Sequence, residues 1–307
     1  MRLLLTHLLL KPILIAKILK VKRLISTPIG FTWLRLLFTE SERQMLKYGF
    51  RGSGKKNPSI SIIIIHHNTS RFSWLIECIN SLKSQIFSEF EIVIITNYEF
   101  PSNLSRILKN LNVMSIYFFE NSHPSQARNF GVGKCNSELV MFVDDDNLLL
   151  PWHVLFLVNA YHSDSEASIF LGSFMCFQNR IVTGFPLRYP VTRRTLVLGD
   201  PSDVSSIAIK KSSFDLIHWD DAVLSENWAF LIDALDVDLK LHQVSAPLSL
   251  HRKHFNSRSQ MIKRPLVPKA WFKKYRNCID WGYMVPDSIS KAKLLKVIFA
   301  LRKTSDY

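Results

Sequence analysis

The sequence predicts an α/β fold, in which a mainly parallel, Rossmann-like sheet is flanked by helices and a basic helical extension lies at each end. Two observations predict the sheet: the continuous apolar, β-branched run Ile60–Ile65, and the alternation of similar short runs with stretches of helical periodicity. A third observation predicts the extensions, because positive charge is concentrated at both ends of the 307-residue chain. The hydrophobic content of 47% excludes a wholly disordered protein.

Four strands separated by helices are predicted in the central part of the chain. Ile60–Ile65 is uniformly apolar, as expected of a strand that is buried on both faces. Further strands are predicted at Glu91–Ile95, Met114–Phe119 and Glu138–Val143, and helices at Ser73–Gln85, Ser125–Cys135 and Leu148–Val158. Strands that alternate with helices favour βαβ units, in which ligands bind beyond the carboxyl ends of the strands.

The net charge of +14 is unevenly distributed. Residues 1–56 carry +10, residues 57–251 carry −7 and residues 252–307 carry +11. Within 14–25 and again within 290–303, apolar residues share one helical face among basic residues, which is typical of a helix on an anionic membrane surface. The alternatives are surface helices packed on the core and, less favoured because the middle is acidic, arms that bind nucleic acid.

These charges and apolar patterns divide the chain into three regions. We assign a basic amphipathic region to 1–56, the central domain to 57–258 and a basic helical extension to 259–307. Four cysteines without a C-x-x-C pair fit a reducing compartment. We therefore expect a cytoplasmic protein that contacts anionic lipid peripherally at the inner face of the membrane and does not bind nucleic acid.

Polar residues follow the predicted strands, at the edge of the sheet where ligands are expected. They include His66-His67-Asn68, Thr96-Asn97 and the acidic triplet Asp144-Asp145-Asp146. Three adjacent carboxylates repel one another unless a positive group lies near them, and carboxylate oxygens are ligands that Mg²⁺ or Mn²⁺ share with phosphates. The triplet therefore predicts a metal–phosphate site, with an N-cap of the next helix as the alternative. The absence of a GxGxxG or Walker-type loop argues against a dehydrogenase or a P-loop NTPase.

The stretch from Ser125 to Asn147 resembles the core of family 2 glycosyltransferases, which have the GT-A fold. That family typically shows Ala-Arg-Asn-x-Gly at a helix start and then a strand that ends in Phe-Leu-Asp-x-Asp. The matching residues are Ala127, Arg128, Asn129 and Gly131, followed by Phe142, Val143, Asp144 and Asp146. The first strand is similar to Val-Ser-Val-Ile-Ile-Pro-Thr-Tyr-Asn, with Asn68 at the last position, and the resemblance extends over residues 58–255.

The resemblance implies metal-dependent, inverting transfer of a sugar from a nucleoside diphosphate donor to a glycan or lipid-linked hydroxyl, as in surface polysaccharide or glycolipid synthesis. It implies that Asp144 and Asp146 position Mg²⁺ or Mn²⁺ and that His254 completes the metal shell. His251 is the less favoured third ligand, and a solvated surface histidine is the alternative for His254.

We expect the donor to lie against six residues near the strand ends. These are His67, Asn68, Asn97, Arg128, Asp144 and Asp145. For Arg128, the alternative is a purely structural ion pair with Glu120 or Glu138.

Two positions depart from the family pattern. Asn97 replaces an aspartate that reads the nucleotide base, although an amide can still donate and accept hydrogen bonds. Asn227 replaces the aspartate that acts as the family's catalytic base, and an amide cannot accept a proton from a hydroxyl. We predict Glu226 as the base, with Asp220 and Asp221 as alternatives; the other interpretation of Glu226 is that it only caps its helix or orients the acceptor. The rival hypothesis is a catalytically impaired relative that binds nucleotide sugars as a scaffold or regulator.

Overall fold

The structure, a computed structural model, describes residues 58–254 except 111–114, 121–122, 179–180, 185–189, 193–195, 197–201 and 222–225. The basic regions 1–56 and 259–307, with their predicted amphipathic helices, lie outside the described residues. In the part of the chain that is described, no helix has both the length and the apolar character needed to cross a bilayer.

Nine strands of the described residues form one sheet. They are β1 Ile60–His66, β2 Glu91–Thr96, β3 Ser115–Phe118, β4 Leu139–Asp144, β5 Leu148–Leu149, β6 Ile169–Gln178, β7 Ile181–Gly184, β8 Ile207–Lys210 and β9 Leu241–Arg252. Their order is β3-β2-β1-β4-β8-β6-β9-β5, and β7 pairs with β6. The four predicted strands, β1 to β4, are parallel, as expected.

The carboxyl end of β9 lies at the same edge of the sheet as the carboxyl ends of β1 to β4. β8 is antiparallel to β4, β6 is antiparallel to β8, and β9 is parallel to β6. β9 therefore runs in the same direction as β1 and β4. As a result, the residues that follow Arg252 lie at the carboxyl edge, beside those that follow His66 and Asp144.

Helices cover both faces of the sheet. They are α1 Phe72–Lys83, α2 Ser102–Asn110, α3 Pro124–Lys134, α4 His153–Ser163 and α5 Glu226–Asp236, with short 3₁₀ turns at Thr69–Arg71, Val204–Ser206 and Lys211–Asp215. Ile62 and Ile64 pack in the cluster that includes residues of α1 and α4, whereas Ile63 packs with residues of α3 and α5. Since successive strand residues face opposite sides, the isoleucine run of β1 supplies both cores.

One predicted helix begins later than expected. Leu148–Leu149 forms β5, which pairs with β9, and the helix predicted from Leu148 begins at His153. Pro151, which has no backbone N–H, separates the strand from the helix. The N-cap is Trp152, so the alternative in which the acidic triplet caps this helix is wrong. The other predicted strands and helices are confirmed, with ends that differ by one or two residues.

Candidate active site

The three carboxylates after β4 have different partners. Asp144 accepts a hydrogen bond from Arg128 Nη2 at 3.2 Å. Asp145 lies 2.5 Å from His66 Nδ1, and Asp146 Oδ2 lies 3.3 Å from Arg71 Nη1 and 2.9 Å from His254 Nε2. The repulsion expected within the triplet is therefore relieved by a separate basic group at each position.

Asp145 is directed into the protein rather than toward a cleft. Only 6% of the residue is exposed, and its contact is with His66, which is fully buried at the end of β1. Burial raises the pKa of Asp145, and the hydrogen bond with His66 opposes that rise. The imidazole is enclosed in turn by Phe72, Tyr98 and Phe100. The Asp145 carboxylate thus contacts His66 of β1 and lies 3.9 Å from Arg71, and its contact with the donor stays a prediction.

Asp146 and His254 form a partly exposed pair of potential metal ligands at this edge. Their side-chain atoms Oδ2 and Nε2 are 2.9 Å apart, although 108 residues separate them in the sequence. About 12–13% of each side chain is exposed. Among the described residues, no group of three or more His, Cys, Asp or Glu side chains is arranged to hold a metal ion. Any cation at this pair would therefore take most of its ligands from water or a bound phosphate.

Arg128 connects the triplet to the start of α5. Its Nη1 donates to Glu226 Oε1 at 3.1 Å and its Nη2 donates to Asp144, while the guanidinium lies 5.0 Å from the ring centroid of Trp219. Burial raises the pKa of Asp144, and the charge of Arg128 opposes that rise. The alternative partners Glu120 and Glu138 are wrong. Glu138, for example, lies before β4, at the opposite end of the strand, and accepts from the Ser59 backbone.

The Ala-Arg-Asn-x-Gly motif explains why α3 places Arg128 at this edge. Ala127 is fully buried against the sheet, and Asn129 makes two hydrogen bonds with the Trp219 backbone, at 2.9 and 3.0 Å. A Cβ atom at Gly131 would lie 2.9 Å from Ile63 Cγ2, so only glycine allows this close approach of helix and strand. Together these contacts hold the helix start beside Asp144.

The predicted base and its neighbour are the first two residues of α5. The Glu226 side chain is 12% exposed and forms the ion pair with Arg128. The Asn227 Oδ1 atom is buried and has no hydrogen-bond partner within the described part of the chain. Of the alternative bases, Asp221 already accepts a short hydrogen bond from Gln126 Nε2. Glu226 is linked to the triplet through Arg128, which contacts both Glu226 and Asp144.

The residues expected near the nucleotide follow β1 and β2. Asn68 Oδ1 accepts from the backbone N of Ser70 at 3.0 Å and from its hydroxyl at 2.7 Å, so this side chain caps the turn at Thr69–Arg71. His67 and Asn97 are half-buried and directly follow their strands. All three lie at the carboxyl edge, where we proposed donor binding.

A buried polar cluster beneath the triplet was not predicted. It consists of Asn147, Asp203, Ser205, Ser249 and His251. Burial acts to lower the pKa of His251 and to raise that of Asp203, but the interaction of these two groups, whose Nδ1 and Oδ1 atoms are 3.6 Å apart, reverses both effects. His251 is thus paired with Asp203, and the less favoured choice of His251 as a metal ligand is not supported. Asn147 directly follows the triplet, and this polar residue was the feature of the sequence that could have indicated the cluster.

Three tryptophans of the described residues lie in the core and not at the edge of the site. Trp152, Trp219 and Trp228 are all buried in the core, with at most 9% of each residue exposed. Because stacking on an acceptor sugar needs an exposed ring, their burial favours a packing role.

Comparisons with known proteins agree with this architecture. Residues 61–210 match the family described as "Glycosyl transferase family 2". The crystal structure of S. aureus TarS 1-349 in complex with UDP-GlcNAc is similar over 72% of this chain and 65% of that chain, with 17% identity and a TM-score of 0.56. The fold is therefore that of GT-A glycosyltransferases, as predicted. The predicted resemblance to family 2 glycosyltransferases is therefore confirmed over residues 61–210.

Curated relatives are similar over shorter stretches. "Uncharacterized glycosyltransferase YwdF" of Bacillus subtilis (strain 168) is 28% identical over 142 residues, which are 44% of this chain and 48% of that protein. "O-antigen biosynthesis glycosyltransferase WbnJ" of Escherichia coli is 30% identical over 96 residues, which are 30% of this chain and 37% of that protein. The match thus spans less than half the length of either relative.

Proposed function

We propose that the protein is a glycosyltransferase that moves a sugar from a nucleoside diphosphate donor to a hydroxyl acceptor. The observation that carries the proposal is the approach of Asp146 Oδ2 and His254 Nε2 to 2.9 Å at the carboxyl edge of the sheet. One residue follows β4 and the other follows β9, so the fold itself brings them together. The family 2 domain supports the same reaction class.

The Asp146–His254 pair fits Mg²⁺ or Mn²⁺. Octahedral coordination at about 2.0–2.1 Å places neighbouring ligand atoms about 3 Å apart, close to the observed separation. When bound, the cation would neutralise charge on the departing nucleoside diphosphate. Asp144 is held by Arg128, so we propose that it contributes to donor binding and to the field at the metal.

Two arginines are placed to receive the diphosphate. Arg71 lies 3.3 Å from Asp146 and 3.9 Å from Asp145, with 23% of its side chain exposed. We propose that its guanidinium exchanges Asp146 for a phosphate when the donor arrives, because guanidinium groups bind both anions in the same geometry. Arg128 contributes a second, buried positive charge on the other side of the triplet.

Glu226 is our proposed base. The acceptor oxygen would bond to the anomeric carbon as the bond to the diphosphate breaks, and the acceptor proton would pass to Glu226, with inversion at carbon. Glu226 would have to give up part of its ion pair with Arg128 when it takes the proton. That requirement, together with Asn227 at the family's base position, favours a second candidate function, in which the protein binds the nucleotide sugar without transferring it.

Ligand-dependent thermal unfolding tests donor binding. A panel of nucleoside diphosphate sugars that includes UDP-GlcNAc is added with and without Mn²⁺, and a ligand that binds the native state raises Tm. We expect Mn²⁺ to enhance the shift and Asp146→Ala to abolish it. Asp164→Ala is the matched control, because Asp164 also pairs with a histidine but on the surface. An unchanged shift in Asp146→Ala would refute the metal assignment.

Product formation separates the two candidate functions. With a donor that binds, sugar transfer is measured for the natural protein, for Glu226→Gln and for Asn227→Asp. Transfer that is lost in Glu226→Gln supports the proposed base. Donor binding without transfer in the natural protein, combined with transfer in Asn227→Asp, would instead establish the non-transferring function.

We propose that the acceptor belongs to surface polysaccharide or glycolipid synthesis at the inner face of the membrane. The charges of +10 and +11 at the two ends support contact with anionic lipid, and WbnJ is named for O-antigen biosynthesis. Sedimentation of the full chain with anionic and with neutral vesicles tests this contact. Equal binding to both vesicles, or preferential binding to DNA, would count against it.

A further inference from the structure

Asp203 lies beneath the acidic triplet and is almost completely buried, with 4% of the residue exposed. It directly precedes the 3₁₀ turn Val204–Ser206 and caps this turn by accepting a hydrogen bond from Ser205 N at 3.4 Å. A buried carboxylate is costly unless several donors satisfy it. Apart from Ser205 N, the groups that face its carboxylate come from the two segments that carry Asp146 and His254.

The first connection leads to Asp146. Asn147 Nδ2 lies 3.3 Å from both carboxylate oxygens of Asp203 and donates to Ser205 Oγ at 2.9 Å. Ser205 Oγ also accepts from the backbone N of Asp144 at 3.1 Å. Asp203 and its turn therefore hold both ends of the segment in which Asp146 lies.

The second connection leads to His254. Ser249 Oγ donates to Asp203 Oδ2 at 2.9 Å, and His251 Nδ1 lies 3.6 Å from Oδ1. Both residues belong to the end of β9. The next residue, Arg252, donates its backbone N to Asn147 Oδ1 at 3.0 Å and its Nε to the Asp146 carbonyl at 2.7 Å. The two segments are thus joined directly as well as through Asp203.

We propose that Asp203 is a positioning residue that fixes the separation of Asp146 Oδ2 and His254 Nε2 and thereby sets the affinity for the divalent cation. This inference rests on the proposed function, since it concerns the same metal pair. Asp203 touches neither of the two ligands and acts through Asn147 and the end of β9. Loss of such an outer partner typically weakens metal binding 10- to 100-fold.

Mn²⁺ titration of the full chain, followed by electron paramagnetic resonance, tests the proposal. Asp203→Asn keeps the side-chain shape but replaces one acceptor oxygen by a donor that faces Asn147 or Ser249. We expect about 10- to 100-fold weaker Mn²⁺ binding. Asp164→Asn is the matched control, because Asp164 pairs with His242 at the opposite end of β9, at 3.2 Å. It should leave the Mn²⁺ affinity unchanged.

A double variant distinguishes positioning from general destabilisation. In a His254→Ala background, only one member of the pair remains to be positioned, so Asp203→Asn should change the residual affinity by less than about twofold. If Asp203→Asn weakened Mn²⁺ binding by the same factor in the natural protein and in the His254→Ala variant, the proposal would be overturned. If Asp203→Asn does not fold, Ser249→Ala removes one donor alone, and an unchanged Mn²⁺ affinity in that variant would also overturn it.

The result separates this inference from the proposed function. If the natural protein and Asp146→Ala bind Mn²⁺ equally, the metal pair itself is wrong. If the natural protein binds Mn²⁺ through Asp146 and the folded Asp203→Asn variant binds it equally well, only the positioning role of Asp203 fails.

Discussion

Alanine at two glycines of one helix should have opposite effects on stability. Gly131 and Gly133 both lie in α3, so each gains up to about 1 kcal/mol of helix stability on replacement by alanine. At Gly133 no atom lies within 4 Å of the new Cβ, whereas at Gly131 it would meet Ile63 Cγ2 at 2.9 Å and Ile95 Cγ1 at 3.3 Å. Ile63 and Ile95 are fully buried and have little room to move.

The steric cost at Gly131 determines how far the two variants should differ in their free energy of unfolding. Overpacking a buried site costs about 1–3 kcal/mol. Because the gain in helix propensity is similar in both variants, the free energies of unfolding of Gly131→Ala and Gly133→Ala should differ by about 1–3 kcal/mol. Urea unfolding followed by circular dichroism measures the difference. Gly133→Ala should unfold at a higher urea concentration than the natural protein, and Gly131→Ala at a lower one.

The comparison also bears on the site. Arg128 lies one helical turn before Gly131, so a displacement of α3 away from β1 would move the guanidinium relative to Asp144. We expect Gly131→Ala to weaken donor binding and Gly133→Ala to leave it unchanged. Equal shifts of the urea midpoint in the same direction would show that the helix does not approach the sheet as closely as described.

Two further predictions concern buried ionisable groups. Arg128→Met removes the ion pairs that Arg128 forms with Glu226 and Asp144 and should destabilise the protein by about 2–4 kcal/mol, less than for a fully buried pair because 34% of the Asp144 side chain is exposed. Adding Glu226→Gln should recover at least about 1 kcal/mol in urea unfolding, and strict additivity would contradict the pairing. Burial lowers the pKa of His153 to about 4, below its ordinary value, so the unfolded chain binds the additional proton as pH falls below about 6.5. The free energy of unfolding should therefore decrease by about 2 kcal/mol between pH 7 and pH 5 through this group, and His153→Gln should lose that part of the pH dependence; an identical dependence in both proteins would exclude it.

The parallel half of the fold was predictable because its signals are local. The run Ile60–Ile65 and the helical spacing that follows it specify one strand and one helix without reference to distant residues. The carboxyl-edge positions of Asn97 and Asp146 follow from the direction of the strands alone.

The contacts of the site depend on distant residues and were less predictable. Asp144 and Asp145 are adjacent in the sequence, but their carboxylates have different partners. Asp144 contacts Arg128, whereas Asp145 contacts His66. Spacing along a strand indicates that neighbouring side chains diverge, but not which of them meets a buried imidazole. The approach of His254 to Asp146 was implied only by the resemblance, because the second half of the sheet had not been assigned.

The location of His254 after β9 has a consequence for synthesis of the protein. Asp146 leaves the ribosome 108 residues before its partner, so a nascent chain that already contains the parallel strands still lacks the imidazole. The proposed cation affinity would therefore be acquired only when β9 has emerged and docked. A molecule whose translation stops before β9 would lack His254 and, with it, the proposed cation site.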